Sequence, residues 1–197
     1  VGASITLGGK RTTAGGISSY VSIAGRKENS TGGNYAGYLQ LSTTNGSGTT
    51  AEAMRIDSSG NVLVGQTSAS GFGSTAGIQM LSDGRILSTV SGDQALALSR
   101  TSSDGNIAEF YSGGLPVGSI GTYDGADIYV GSGDTGIRFV PDSDAVIPVS
   151  PSSSGAIRGS AIDLGLSSIP FSNLYLSGGA NVGDLAVDGG SLGNTGI

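Results

Sequence analysis

The sequence predicts an all-β protein, and three observations lead to this fold class. Glycine fills 37 of the 197 positions, which is about 19% where ordinary proteins have roughly 7%. Short runs of alternating apolar and polar residues recur along the chain, as is typical of strands. Asp-Gly and Ser-Gly signals, which favour tight turns, separate these runs.

Helical folds are disfavoured by the same composition. The longest glycine-free run, residues 137–154, contains three prolines that interrupt a helix. Residues 49–59 and 93–104 could at most form a short helix, because neither has a wide apolar stripe at helical spacing. A collagen helix requires glycine at every third position, and the sequence lacks that period.

The alternating runs predict strands that each place their apolar residues on one face. Each run is short, and its same-face positions are two residues apart. These positions are Ile17, Ser19, Val21 and Ile23, then Leu39 and Leu41, then Met54 and Ile56, then Val62 and Val64.

Four turn signals share an Asp-Gly or Ser-Gly frame followed by a β-branched residue. Their glycines are Gly60, Gly84, Gly105 and Gly125. This spacing predicts a loose repeat of hairpins, each about twenty residues long, that reaches to about Phe139. An ordinary β-meander has turns at similar spacing, and that alternative stays open.

A single copy of such a chain would be marginally stable, because short runs of small residues bury little apolar area. Several copies around a common axis would bury the alternating Val, Ile and Leu face and would also pair the strand edges. We therefore expect an elongated, glycine-rich fibre formed by an intertwined, parallel homotrimer.

Composition divides the chain into four predicted parts. Residues 1–70 form a β module, and residues 71–140 hold the hairpin repeats. Residues 141–155 are a Pro/Ser-rich connector, and residues 156–197 form a β segment with a glycine-rich tail. We expect the natural chain to continue past Ile197.

The charge distribution argues against nucleic acid and membrane partners. The net charge is −6, and the second half of the chain has two arginines, Arg138 and Arg158, against ten acidic residues. Phosphate backbones and anionic membranes both attract clusters of Lys and Arg. The sequence has no cysteine, so it can form neither a disulfide nor a thiolate metal site.

Catalytic residues are scarce, and we predict that the protein is not an enzyme and uses no cofactor or metal. The absence of histidine and cysteine excludes Ser-His-Asp and Cys-His catalysis. Asp124 with Asp127, and Asp142 with Asp144, could form an acid/base pair or a calcium site. Solvated turn carboxylates are the favoured interpretation of all four.

Two further motifs are interpreted as loops. Residues 131–136 match GxGxxG, but a second strand ending in Pro141 follows instead of the helix that a dinucleotide site needs, so we predict a hairpin turn. Glycosylation sequons begin at Asn29 and Asn45 and indicate surface exposure.

Tyrosines are the remaining candidates for binding. Tyr35, Tyr38, Tyr123 and Tyr129 lie in or beside predicted turns. They could stack on sugars, but packing against the trimer core is favoured for each. The sequence does not single out receptor-binding residues.

Two stretches resemble known protein sequences. In residues 23–68, a Lys-Glu-Asn stretch, a Tyr-Leu strand and Met-Arg-Ile-Asp-Ser-Ser-Gly-Asn-Val follow in order, and this arrangement resembles a module of distal bacteriophage tail fibres. Residues 161–179 resemble the segment that often precedes the C-terminal intramolecular chaperone of such fibres.

The resemblance implies a trimeric, intertwined virion component that lies outside cells and helps the particle adsorb to a bacterial surface. Implied partners are other tail, baseplate or fibre proteins and a host surface glycan or protein. The sequence departs from the family in two ways. No lysine follows Lys27, so the self-cleaving Ser/Lys chaperone has been cleaved off, lies outside this sequence or was never encoded. The family's Gly-Ile-Gly is replaced by residues 63–65. Alternatives are a bacterial extracellular adhesin or filament subunit and, with less support, a tailspike polysaccharide depolymerase.

Overall fold

The computed structural model describes residues 2–12, 15–72 and 75–178. Within these ranges the chain forms thirteen β-strands, two short 3-10 turns (Pro141–Ser143 and Pro151–Ser153) and no α-helix, which confirms the all-β prediction. The two runs considered for a short helix, 49–59 and 93–104, contain none. The chain divides into two compact units, Val1–Ala97 and Leu98–Ile197.

The first unit contains one antiparallel sheet in which the strands pair in chain order, from β1 to β7. Its strands are β1 (Ser4–Lys10), β2 (Ile17–Lys27), β3 (Gly37–Thr44), β4 (Thr50–Ile56), β5 (Val62–Val64), β6 (Gly77–Met80) and β7 (Ile86–Thr89).

The second unit contains a similar antiparallel meander, with β8 at one edge and β13 at the other. Its strands are β8 (Gly105–Ser112), β9 (Leu115–Tyr123), β10 (Asp127–Ser132), β11 (Thr135–Val140), β12 (Ala145–Ser150) and β13 (Ala156–Ile157).

Three hairpins of the first unit close with the same five-residue turn. In residues 45–49, 57–61 and 81–85, the first and fifth residues are bonded through their backbones, and the fourth donates its N–H to the carbonyl of the first. The fourth residue is Gly48, Gly60 or Gly84, with φ of +83°, +83° and +89°. Glycine adopts this left-handed conformation without the strain that a Cβ adds.

The predicted turn repeat is only partly observed. Gly60, Gly84 and Gly125 lie in hairpin turns, but Gly105 lies in β8. The hairpin between β8 and β9 closes at Gly113–Gly114 instead, where φ is +57° and +82°. Residues 131–136 span the β10–β11 turn, so the GxGxxG match is a hairpin as predicted.

The division into units differs from the predicted boundaries. Strands on either side of residue 70 are neighbours in one sheet, since Val62 pairs with Met80. The predicted connector, 141–155, contains β12, which pairs with β11. The small-residue segment near residue 70 connects two neighbouring strands of one sheet, and the Pro-rich segment pairs with β11 through its backbone. Most of the predicted glycine-rich tail and the expected continuation past Ile197 lie outside the described residues.

Candidate interaction surfaces

One face of the seven-stranded sheet is lined by aliphatic side chains. The register places Ile5 opposite Ile23, Ile23 opposite Leu41, and Leu41 opposite Met54, so these residues share a face. Six strands each contribute two residues, i and i+2, and β7 contributes one. We call the set the first apolar ribbon: Ile5, Leu7, Val21, Ile23, Leu39, Leu41, Met54, Ile56, Val62, Val64, Ile78, Met80 and Ile86.

The first apolar ribbon is open in the single chain. Nine of its thirteen residues are more than a third exposed, from 36% at Val21 to 73% at Ile86. Together they expose on the order of 800 Å², about what one partner contributes to a standard protein–protein interface. Such a patch is larger than the few hundred Å² usual on monomeric proteins.

The opposite face of the same sheet is buried across β5, β6 and β7. Leu63, Gln79 and Leu87 lie next to each other across β5, β6 and β7 and are 0%, 1% and 4% exposed. The segment after β5 lies over this face, because Gln79 Nε2 donates to Gln66 Oε1 (3.1 Å) and to the Gly71 carbonyl (2.8 Å). At these strands the chain thus covers the more polar face and leaves the aliphatic face open.

Arg55 is held in place on this buried face. Its guanidinium forms an ion pair with Glu52, in which Nη2 lies 2.8 Å from Oε2. A third bond reaches the Thr67 carbonyl (2.8 Å), and the Tyr38 ring lies 4.1 Å away. The hydrogen bond with Glu52 is the main reason that the pKa of Arg55 is raised.

Asp57 organises the turn that follows β4. Its carboxylate accepts hydrogen bonds from the Ser59 N–H (2.9 Å), the Asn61 N–H (2.9 Å) and Asn61 Nδ2 (2.8 Å). Burial raises the pKa of Asp57, but these bonds outweigh it and the net pKa is lowered.

Two long-range contacts connect that turn to the rest of the unit. Glu28 accepts from the Ser58 N–H (2.7 Å) and hydroxyl (2.8 Å). Asn61 Oδ1 accepts from the Ser82 N–H in the β6–β7 turn (2.9 Å). The Lys-Glu-Asn and Asp-Ser-Ser-Gly-Asn stretches of residues 23–68 therefore stabilise the unit.

The second unit has an equivalent open face. The register places Ile120 opposite Val130, Val130 opposite Ile137, and Ile137 opposite Pro148. We call this set the second apolar ribbon: Ala108, Phe110, Ile120, Ile128, Val130, Ile137, Phe139, Val146 and Pro148. Six of the nine are 40–59% exposed, and none is charged.

The opposite face of this sheet is buried and contains an ion pair. Arg138 is 6% exposed and lies 3.3 Å from the Asp127 carboxylate. It also donates to the Gly155 carbonyl (3.1 Å), and the Tyr123 ring lies 4.0 Å away. The pair was missed because sequence alternation does not say which face a sheet covers.

Tyr129 fills the centre of the second unit. It is fully buried, its hydroxyl donates to Asn106 Oδ1 (2.7 Å), and burial raises its pKa. A Cβ built on Gly121 or Gly155 would lie 2.3 or 2.5 Å from the ring. These glycines are therefore required by packing.

A polar cleft of about 650 Å³ lies on the same side of the second unit, lined by Asn106, Glu109, Ser119 and Ser152 among others. Glu109 accepts from Asn106 Nδ2 (2.6 Å) and the Tyr111 hydroxyl (2.9 Å), and these bonds lower its pKa. Within the described residues, no group of three or more acidic side chains could hold a metal ion.

The four predicted turn carboxylates have different surroundings. Asp124 is exposed, with φ of +53°, and its N–H donates to Asp104 (2.7 Å). Asp142 and Asp144 are exposed at the first 3-10 turn. Asp127 differs from the expectation of a solvated group because β10 places it on the buried face, beside Arg138.

The structure also shows where the candidate tyrosines and the sequon residues lie. Tyr35 is 97% exposed and Tyr129 is fully buried within its own unit. The half-buried rings of Tyr38 and Tyr123 lie against Arg55 and Arg138. The sequon residues Asn29 and Asn45 are exposed, as predicted.

No family model, curated protein or solved structure matches the chain. In the described part of the chain, no helix has both the length and the apolar character needed to cross a membrane.

Proposed function

We propose that the chain is a structural, non-enzymatic segment of a bacteriophage tail fibre that assembles as a parallel homotrimer and serves adsorption to a host bacterial surface. The observation that carries the proposal is the open apolar ribbon of each unit. Burying such a surface is favourable by roughly 25 cal/mol per Å², so a partner that covers it stabilises the chain.

Copies of the same chain are the partner that fits both ribbons. Neither ribbon contains a charged residue, so bringing identical ribbons together buries no unpaired charge. Most strands of both units contribute two apolar residues to their ribbon. Self-association supplies a matching surface for each, whereas a different partner would need two such surfaces of its own.

The width of the ribbons favours three copies. Three sheets about one axis, each about 5 Å from it, enclose a triangle with sides of roughly 17 Å, or five residues. In a strand that forms one such side, residues i and i+2 point inward and, with the residue between them, fill the middle three positions. One residue then remains at each corner.

The assignment to a phage particle rests on the resemblance of residues 23–68 and 161–179. In this proposal the protein is an extracellular virion component, and its other partners are fibre or baseplate proteins and a host surface glycan or protein. The contacts of Glu28, Asp57 and Asn61 support a structural role for the first stretch.

The adsorption role is tested with fluorescently labelled trimer and bacterial strains that differ in surface glycans. We expect binding to a subset of strains, displacement by unlabelled protein and an unchanged glycan profile. Binding to no strain would contradict the role, and released glycan would indicate a depolymerase. Antibodies against the chain should decorate phage tails; labelling of bacterial filaments alone would indicate an adhesin.

A further inference from the structure

The first apolar ribbon is longer across the strands than along them. Seven strands at the usual spacing extend over roughly 30 Å, whereas residues i and i+2 of one strand are about 7 Å apart. If several copies pack around one symmetry axis, every ribbon residue can lie close to that axis only when the axis follows the long direction of the ribbon. The axis must therefore run across the strands.

Strand exchange between copies is unnecessary in this unit. Within the described residues, all seven strands pair inside one chain and in chain order, and only the outer edges of β1 and β7 lack a neighbouring strand in the sheet. Copies therefore need to supply side-chain contacts and not missing strands, which favours side-by-side packing over the intertwined arrangement expected from the sequence.

The direction of packing follows from the strand lengths. Strands β1 to β4 have seven to eleven residues, whereas β5 to β7 have three or four. A two-fold pairing of antiparallel ribbons would set the long strands β1 to β3 against the short strands β5 to β7 and leave part of each long strand uncovered. Parallel ribbons set each strand against its own copies.

We infer that the three copies meet through the first apolar ribbon in parallel and in register, without strand exchange, around an axis that runs across the strands. This inference rests on the proposed self-association. Each ribbon residue then faces the same residue of the other two copies.

Histidine substitution tests this arrangement, because the natural sequence has no histidine and no cysteine. Three imidazoles at one level around an axis form a zinc site. We expect Ile23→His, Ile56→His and Met80→His, on β2, β4 and β6, each to bind one Zn²⁺ per three chains in calorimetry. The thermal midpoint of each variant should rise with Zn²⁺, since the metal binds the assembled state. Tyr35→His, at an exposed loop position, is the matched control and should bind none.

The outcomes separate the two proposals. One Zn²⁺ per two chains at a single position would indicate an antiparallel pair and overturn the inference. A trimeric mass with no zinc binding at any of the three positions would also overturn it, while leaving the proposed function intact. A monomeric mass for the unaltered chain would refute the self-association itself.

Discussion

At the scale of single residues, the interiors of both units contain hydrogen-bonded and ion-paired side chains as well as apolar ones. Arg55, Gln79 and Arg138 occupy positions that the apolar alternation assigns to the less apolar face. Each is held by partners from distant parts of its unit, such as Thr67, Gly71 and Gly155. Removing one partner of such a group leaves the other buried and unpaired, which is costly.

The Asp127–Arg138 pair provides the clearest case. Asp127→Asn removes one charge of a buried pair, so we expect a loss of about 3–5 kcal/mol in the free energy of unfolding, measured by urea denaturation at fixed protein concentration. Asp83→Asn breaks the exposed pair with Arg85 and should leave the midpoint unchanged. Equal effects of the two variants would contradict the buried role of Asp127.

The lowered pKa of Asp57 predicts that the stability of the folded chain depends on pH. Its folded pKa lies below the ordinary value of 3.8, so its contribution is fully present above pH 3.8 and is lost as the pH falls below that value. In thermal unfolding followed from neutral to strongly acidic pH, Asp57→Asn should therefore show less acid destabilisation than the natural chain. If the thermal midpoints of the variant and the natural chain fell equally with decreasing pH, the carboxylate's role in the turn would be contradicted.

At the scale of elements, the repeated five-residue turns set the hairpin register of the first unit. Gly48 has φ of +83°, whereas Gly46 in the same turn has no positive φ, and a Cβ there meets nothing within 4 Å. We expect Gly48→Ala to destabilise the unit by about 1–2 kcal/mol and Gly46→Ala to have little effect. Chemical denaturation of both variants checks this, and a reversed order would refute the turn assignment.

The strand faces give a second test at this scale. Val62 lies in the middle of the first apolar ribbon, and Val62→Asp should abolish assembly by placing charges in the shared core. Ser59→Ala should be nearly silent, since Ser59 contributes its backbone N–H to Asp57, a contact that alanine keeps. Solution masses of the two variants check the prediction, and similar behaviour would mean that the faces are assigned wrongly.

Alternation in the sequence predicted the faces of most strands, because the pleat of a strand fixes which residues lie together. The prediction that Ile17, Ser19, Val21 and Ile23 share a face was wrong. A bulge in β2 pairs Val21 with Leu7 but Ser19 with Gly8, so Ile17 and Ser19 lie on the opposite face. The register confirms that Val62 shares a face with Met80, and Met54 with Val64. Alternation could not predict which face the chain covers. That depends on contacts between distant residues, such as Gln66 with Gln79, which no local pattern encodes.

At the scale of the whole molecule, glycine content and turn signals were enough to predict the all-β class. The limits of the units were not predictable, because the small-residue segment 65–72 packs over its own sheet and the Pro-rich segment 141–155 contains strand β12. The sequence was enough to predict that each sheet has an apolar face, which is the candidate surface. Its openness in a single chain became visible only once the covering segments were placed.

The central claim is that the open ribbons are covered by two other copies of the chain. Sedimentation equilibrium of the purified protein measures this directly. We predict a species of three times the chain mass of 19.2 kDa that stays constant on dilution through the micromolar range. A stable, folded species of 19.2 kDa at those concentrations would contradict the claim.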